Sequence, residues 1–254
     1  MHWDPDQPLA PDAVSGFDAV VHLAGETIAG RWTETKKRRI RQSRVSGTRN
    51  LAEALAKASP RPQVFVCASA IGYYGSRGDE VLTEDSASGN DFLSGICRDW
   101  EAAAKPAAHA GIRTVHARFG IVLSKQGGAL KPMLLPFRLG LGGRVGSGRQ
   151  WWSWVDMQDV VGAILHAMKT NIQGPMNVVA PNPVTNAEFT KALGSVLSKP
   201  TIFPMPAFAA RLAFGQMADE LLLASQRVEP MKLKQTGYPF KFVEVRNSLQ
   251  TILS

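Results

Sequence analysis

Three apolar runs, DAVVHLA (18–24), QVFVCASA (63–70) and RTVHARFGIVL (113–123), recur along the chain with long helical patterns between them. They are rich in Val, Ile, Phe and Ala and show almost no polar alternation. A strand buried on both faces needs none, whereas a strand with one wet face does. Strand and helix alternating at this spacing specify a parallel sheet with helices on its faces. A fourth, shorter run, MNVVA (176–180), closes the series. With 254 residues, 44% hydrophobic and 20% charged, the chain has the length and composition of a globular protein with a full core.

The segments between the runs carry their own signals. Ile40, Arg44, Gly47, Thr48, Leu51, Leu55 and Ala58 share one helical face, so Gly47 is expected to bring helix and sheet close together. Arg44 then lies on the sheet-facing side, where something anionic or hydrogen-bonding should meet it. A second helix, about 91–105, buries Phe92, Ile96, Trp100 and Ala103, with Glu101 set to pair with Lys105. ALKPMLLPFRLGLGGRVGSGRQ (129–150) is interrupted by prolines and then glycines, which predicts a broken helix running into a mobile loop. Asp159 is the expected N-cap of DVVGAILHAM, and Thr185 with Glu188 forms a capping box for the helix after it. Beyond Pro200 the alternation of strand and helix ends.

A net charge of +8 and a pI near 9.7 favour acidic partners, and much of the excess lies in TKKRRIRQSRVSGTR (35–49). Stacking aromatics are not interleaved with those charges, so nucleic acid is disfavoured and Lys36, Lys37 and Arg38 read as a solvated face. The longest apolar stretches are too short for a membrane span, and the N-terminus has no signal-peptide pattern. The expectation is therefore a cytoplasmic protein with a small-molecule ligand, no membrane partner, and room for a homodimer. Cys67 and Cys97 have no metal-binding or disulfide spacing and read as buried small residues, with no metal expected.

Dinucleotide folds hold the pyrophosphate on a glycine turn directly after the first strand. The one glycine cluster here, GLGGRVGSG (140–148), follows a broken helix and precedes WWSW, so it fails that context. Even so, FDAVVHLAGE (17–26), WTETKKRRIRQSRVSGTRNLAEAL (32–55), FVCASAIGYYG (65–75), LLPFRLGLGG (134–143), GSGRQWWSWVDMQDV (146–160), NVVAPNPVTNAEF (177–189) and PAFAARLAFGQMADELLLASQRV (206–228) occur in an order that carries a resemblance. The chain resembles the extended and atypical short-chain dehydrogenase/reductases of the NAD(P)-dependent epimerase/dehydratase superfamily. More narrowly, it resembles the "epimerase family protein" subgroup with a C-terminal domain of unknown function. In that family roughly 40 residues, including the glycine loop, precede the segment that Trp3-Asp4-Pro5 matches. The reading taken is a start assigned at an internal methionine, because loss of the central strand would leave DAVVHLA as an open apolar edge; a shortened paralogue is the other.

The resemblance implies an α/β fold, a truncated Rossmann-like doubly wound parallel sheet over 1–180, with 125–155 as an insertion contributing to the substrate pocket. Residues 181–254 would be a small, mostly helical substrate-side subdomain. It also implies NADP as cofactor, with NAD as the other choice, and binding weakened or lost without the glycine loop. Leu23, Ala24 and Gly25 would lie against the adenosine side, Ser69 and Ala70 near the nicotinamide ribose, and Gly120 and Ile121 beside the nicotinamide. Arg39 and Arg44 would approach the phosphates, and arginines suit a 2′-phosphate.

The family's proton relay, a Tyr four residues before a Lys, is missing: the aligned positions hold Leu93 and Cys97. Ser69 matches the family serine, and Tyr73 or Tyr74 in the following loop is the candidate replacement phenol, giving Ser69, Tyr73 and Tyr74 as candidate catalytic residues. Trp152 stands where nucleotide-sugar epimerases carry a clamping arginine, so a nucleotide-sugar substrate is disfavoured, with Arg149 as the nearest compensating charge and both assigned to the substrate pocket. Two functions follow from the resemblance: an epimerase-family oxidoreductase of unknown substrate with an altered relay, or a non-catalytic dinucleotide-binding sensor or scaffold.

Overall fold

The computed structural model describes residues 3–254, so the first two residues of the expected N-terminal domain lie outside it. Strands β1 (Ala19–His22), β2 (Val64–Ala70), β3 (Arg113–Phe119) and β4 (Gly174–Val178) form one sheet in the order 1-2-3-4. All three pairings are parallel, with Ala19 opposite Val64, Val64 opposite Arg113 and Val115 opposite Gly174. Because the strands run the same way in this register, their carboxyl ends form one rim of the sheet.

Helices α1 (Glu34–Lys57) and α2 (Phe92–Ala103) cover one face, and α4 (Met157–Lys169) covers the other; α3 (Leu130–Arg138), α5 (Asn186–Leu197), α6 (Ala207–Phe214) and α7 (Val245–Leu253) are the other helices of eight or more residues among the described residues. Alternate strand residues divide between the faces. Phe65 and Cys67 pack with Leu51, Leu55 and Trp100, while Val64, Val66, Val115 and Ala117 pack with Ala163, Ile164 and Met176. Each such fully buried large apolar side chain stabilises the fold by about 1.5–3 kcal/mol. A third core, Leu130, Trp152, Trp154, Phe189, Leu193 and Leu249, joins α3, α5 and α7. Thr185 and Glu188 form the capping box at the start of α5.

Several local expectations change. The third run is not one strand: it breaks at Gly120, and Ile121–Leu123 leaves the sheet to pair with Trp154–Asp156. The Gly120 position permits this, since a Cβ there would lie 2.3 Å from the Ser153 carbonyl oxygen. Gly47 faces Pro5 of the N-terminal segment rather than the sheet. The cap of α4 is Asp156, whose side chain accepts from the Gln158 N–H, while buried Asp159 accepts from the Lys241 and Phe242 N–H groups and the Tyr238 hydroxyl. Asp159 therefore ties the 238–242 segment to the helix. The far edge of β1 has no strand partner among the described residues, and Val21 and Leu23 there are exposed.

Candidate functional site

The rim of strand ends is where open parallel sheets bind ligands. Leu23, Ala24 and Gly25, following β1, are exposed there, and Ala70, Gly120 and Ile121 are half-buried along it. Arg44 reaches the rim from α1. Its Nη1 donates to the carbonyls of Glu26 (2.9 Å) and Ile40 (3.3 Å), its guanidinium lies 4.9 Å from the Trp100 ring centroid, and Gly25 admits it. The Arg44 Nε and Nη2 have no hydrogen-bond partner among the described residues. Burial lowers its pKa, opposed by Cys97 and Glu26. The Glu26 carboxyl is held below its usual range by the hydrogen bond and charge of Lys36, with Arg39 and Arg44 adding to it. Arg39 is exposed, so the two arginines meet around Glu26 at one end of the rim.

Beneath the rim, between sheet and α2, lies a buried polar network. The Arg118 Nε and Nη2 donate to the two carboxylate oxygens of Glu101 at 2.8 and 2.9 Å, and the Ser69 hydroxyl donates to the same carboxylate at 2.8 Å. Glu101 is thus paired across the interior with Arg118, and not with Lys105 along its own helix. The Arg118 Nη1 donates to the Tyr74 hydroxyl, which donates to Asn177 Oδ1 at 2.6 Å. Burial works to lower the Arg118 pKa, but the hydrogen bonds and charge of Glu101 outweigh it and raise it. Burial pushes the Tyr74 phenol up to about 12 against the opposing effect of Arg118.

The tyrosine pair therefore divides. Tyr74 is fully buried and committed to Asn177, whereas Tyr73 is half-buried, lies with its ring 3.5 Å from the Arg118 guanidinium carbon, and makes no hydrogen bond through its hydroxyl among the described residues. Ser69 is buried and its hydroxyl is committed to Glu101. Cys97, at the position of the missing lysine, is buried and its thiol is pushed up to about 12 by burial and by Glu101. Leu93 packs against Trp32, Ile96 and Met217, and its backbone N–H donates to Glu220 from the C-terminal region.

The two residues assigned to a substrate pocket part company. Trp152 is buried against Phe189 in the third core, with ring centroids 5.3 Å apart, and Arg149 is exposed. The glycine cluster is pinned rather than open: a Cβ on Gly143 would lie 2.0 Å from the Phe203 carbonyl oxygen, and Asn186 accepts from the Val145 N–H. Sequence reasoning missed Glu101, Arg118 and Asn177. The available signal was a charged Arg118 inside a continuous apolar run.

A doubly wound parallel sheet with this open rim defines a Rossmann-like α/β protein. The chain belongs to the NAD dependent epimerase/dehydratase family, which residues 7–179 match, and residues 205–252 match a domain of unknown function, DUF1731. The epimerase family protein Mb2239 of Mycobacterium bovis is 44% identical over 243 residues, covering 94% of this chain and 80% of that protein. The structure of human epimerase family protein SDR39U1 (isoform 2), solved with NADPH, is 39% identical with a TM-score of 0.89, over 92% of this chain and 81% of that one. A UDP-glucuronic acid 4-epimerase from Bacillus cereus, solved with NAD, shares the fold at 14% identity, with a TM-score of 0.78 over 98% of this chain and 77% of that one.

Proposed function

We propose that this protein is an NADP-binding oxidoreductase-like member of the family, with the dinucleotide lying along the strand-end rim. The observation that carries this is Arg44, a half-buried guanidinium at the end of β1 that spends only Nη1 on the protein. A half-buried cation with unspent donors is suited to an anion. Leu23, Ala24 and Gly25 would border the adenosine side, Ala70, Gly120 and Ile121 the nicotinamide side, and Arg39 with Arg44 the phosphates. These residues fit the cofactor in part: Gly25 and Gly30 lie between β1 and α1, but that connection runs from 23 to 33 and does not make the tight strand-to-helix glycine turn that usually cradles a pyrophosphate. NADP, when bound, supplies hydride transfer.

For proton movement the candidate is Tyr73, whose hydroxyl is unspent and whose ring rests on Arg118; Ser69 and Tyr74 would hold Arg118 and Glu101 in place. Fluorescence titration of the protein with NADPH tests the binding. Arg44→Gln is expected to weaken it by about 10–100-fold, the loss of a charge-assisted contact, while NADH affinity changes less. An unchanged NADPH affinity in Arg44→Gln would overturn the assignment. The second reading, a sensor or scaffold without turnover, is favoured by the commitment of Ser69 and Tyr74 to internal partners and by the buried Cys97. Exchange of labelled hydride with a carbonyl panel decides between them, and loss of exchange in Tyr73→Phe would mark the phenol as the acid.

A further inference from the structure

One face of the molecule is apolar, exposed and poor in carboxylates. Leu135, Leu139, Leu141, Ile202, Phe203, Met205, Phe208 and Leu212 all stand on it, between 40% and 77% exposed. They belong to two segments that run side by side. The Met205 N–H donates to the Arg144 carbonyl and the Gly146 N–H to the Met205 carbonyl, both at 2.8 Å. Pro200 and the Phe203 carbonyl sit against Gly140 and Gly143. Leu135 and Leu139 are four residues apart along and just beyond α3, and Phe208 and Leu212 are four apart on α6, so each pair projects from one side of its helix. Isolated exposed apolar residues are ordinary, but a contiguous group of this size marks an interaction surface.

The charge around it selects the partner. Residues 102–155 and 189–218 contain no Asp or Glu, while Lys131, Arg138, Arg144 and Lys199 are exposed beside the apolar group. Arg211 also lies there, paired with Asp219, the first carboxylate after the segment. We propose that this face docks on an anionic lipid surface, with Phe208, Leu212, Leu139 and Phe203 entering the headgroup region and the cations meeting lipid phosphates. Apolar side chains rimmed by Lys and Arg are the composition of interfacial helices. Each cation near an anionic bilayer strengthens the attraction. A second copy fits worse, because a two-fold contact would set these same cations against one another. No helix of the described chain is long and apolar enough to cross a membrane, so the contact is peripheral.

The test is co-sedimentation of the whole protein with phosphatidylcholine vesicles, alone or mixed with phosphatidylglycerol. The expected result is binding to the mixed vesicles only, weakening as salt shortens the screening length. Phe208→Glu/Leu212→Glu and Arg138→Glu/Lys199→Glu should reduce sedimentation to the level with phosphatidylcholine alone. Val161→Glu, an exposed apolar position on α4, should leave it unchanged, with circular dichroism showing each variant folded. Four results would overturn the proposal: no binding to mixed vesicles at low salt; equal binding by Phe208→Glu/Leu212→Glu; retention on polyglutamate but not on vesicles, which assigns the face to an acidic protein; or a native dimer that Phe208→Glu/Leu212→Glu turns into a monomer.

Discussion

At the scale of single residues, Arg118 and Glu101 set the strongest constraint. Their side chains are 3% and 13% exposed, and the bidentate pair also holds the Ser69 and Tyr74 hydroxyls. Breaking such a pair leaves an uncompensated buried charge, so Glu101→Ala should cost about 3–5 kcal/mol in urea unfolding. Glu101→Leu/Arg118→Met, which removes both charges, should recover much of that loss. Equal instability in the single and double variants would show that the cost lies in packing alone. Arg44 differs, because part of its guanidinium is unspent at the rim, and its loss should register in ligand affinity more than in stability.

The elements follow from rules that local sequence carries well. Continuous apolar runs became parallel strands, and the face of α1 that buries Ile40, Thr48, Leu51 and Leu55 was readable from spacing alone. Long-range contacts were not readable in this way. The partner of Glu101 is 17 residues away on another element, and the α4 cap fell to Asp156 because Asp159 is claimed by backbone N–H groups some 80 residues downstream. Trp152, placed beside a substrate by its position in a motif, lies in the third core because α5 brings Phe189 against it. Gly120 shows how a strand boundary is set by a contact between elements. Gly120→Ala should drive its methyl into the Ser153 carbonyl and the Val179 side chain, separating Ile121–Leu123 from the Trp154–Asp156 strand. A loss of about 1–3 kcal/mol, the range for overpacking, is expected in thermal or urea melts.

At the scale of the molecule, two buried thiols link stability to alkaline pH. Burial pushes Cys67 and Cys97 from near 9 up to about 12. Unfolded, both would ionise above their ordinary value; folded, both hold their protons to the raised one. The stability they contribute is therefore complete below pH 9 and lost as pH rises toward 12. Urea midpoints measured from pH 8 upward should fall through that window, and Cys67→Ala/Cys97→Ala should flatten the decline. The molecule is also fastened across its length by Gln226, whose side-chain amide donates to the carbonyls of Ile71 and Gly75 while its backbone N–H donates to Trp151. The loop bearing Tyr73 is consequently clamped by a residue from the distal third of the chain. Replacing that amide, as in Gln226→Leu, would leave the Ile71 and Gly75 carbonyls without these donors and free the turn that carries Tyr73 from its tether to the distal third of the chain.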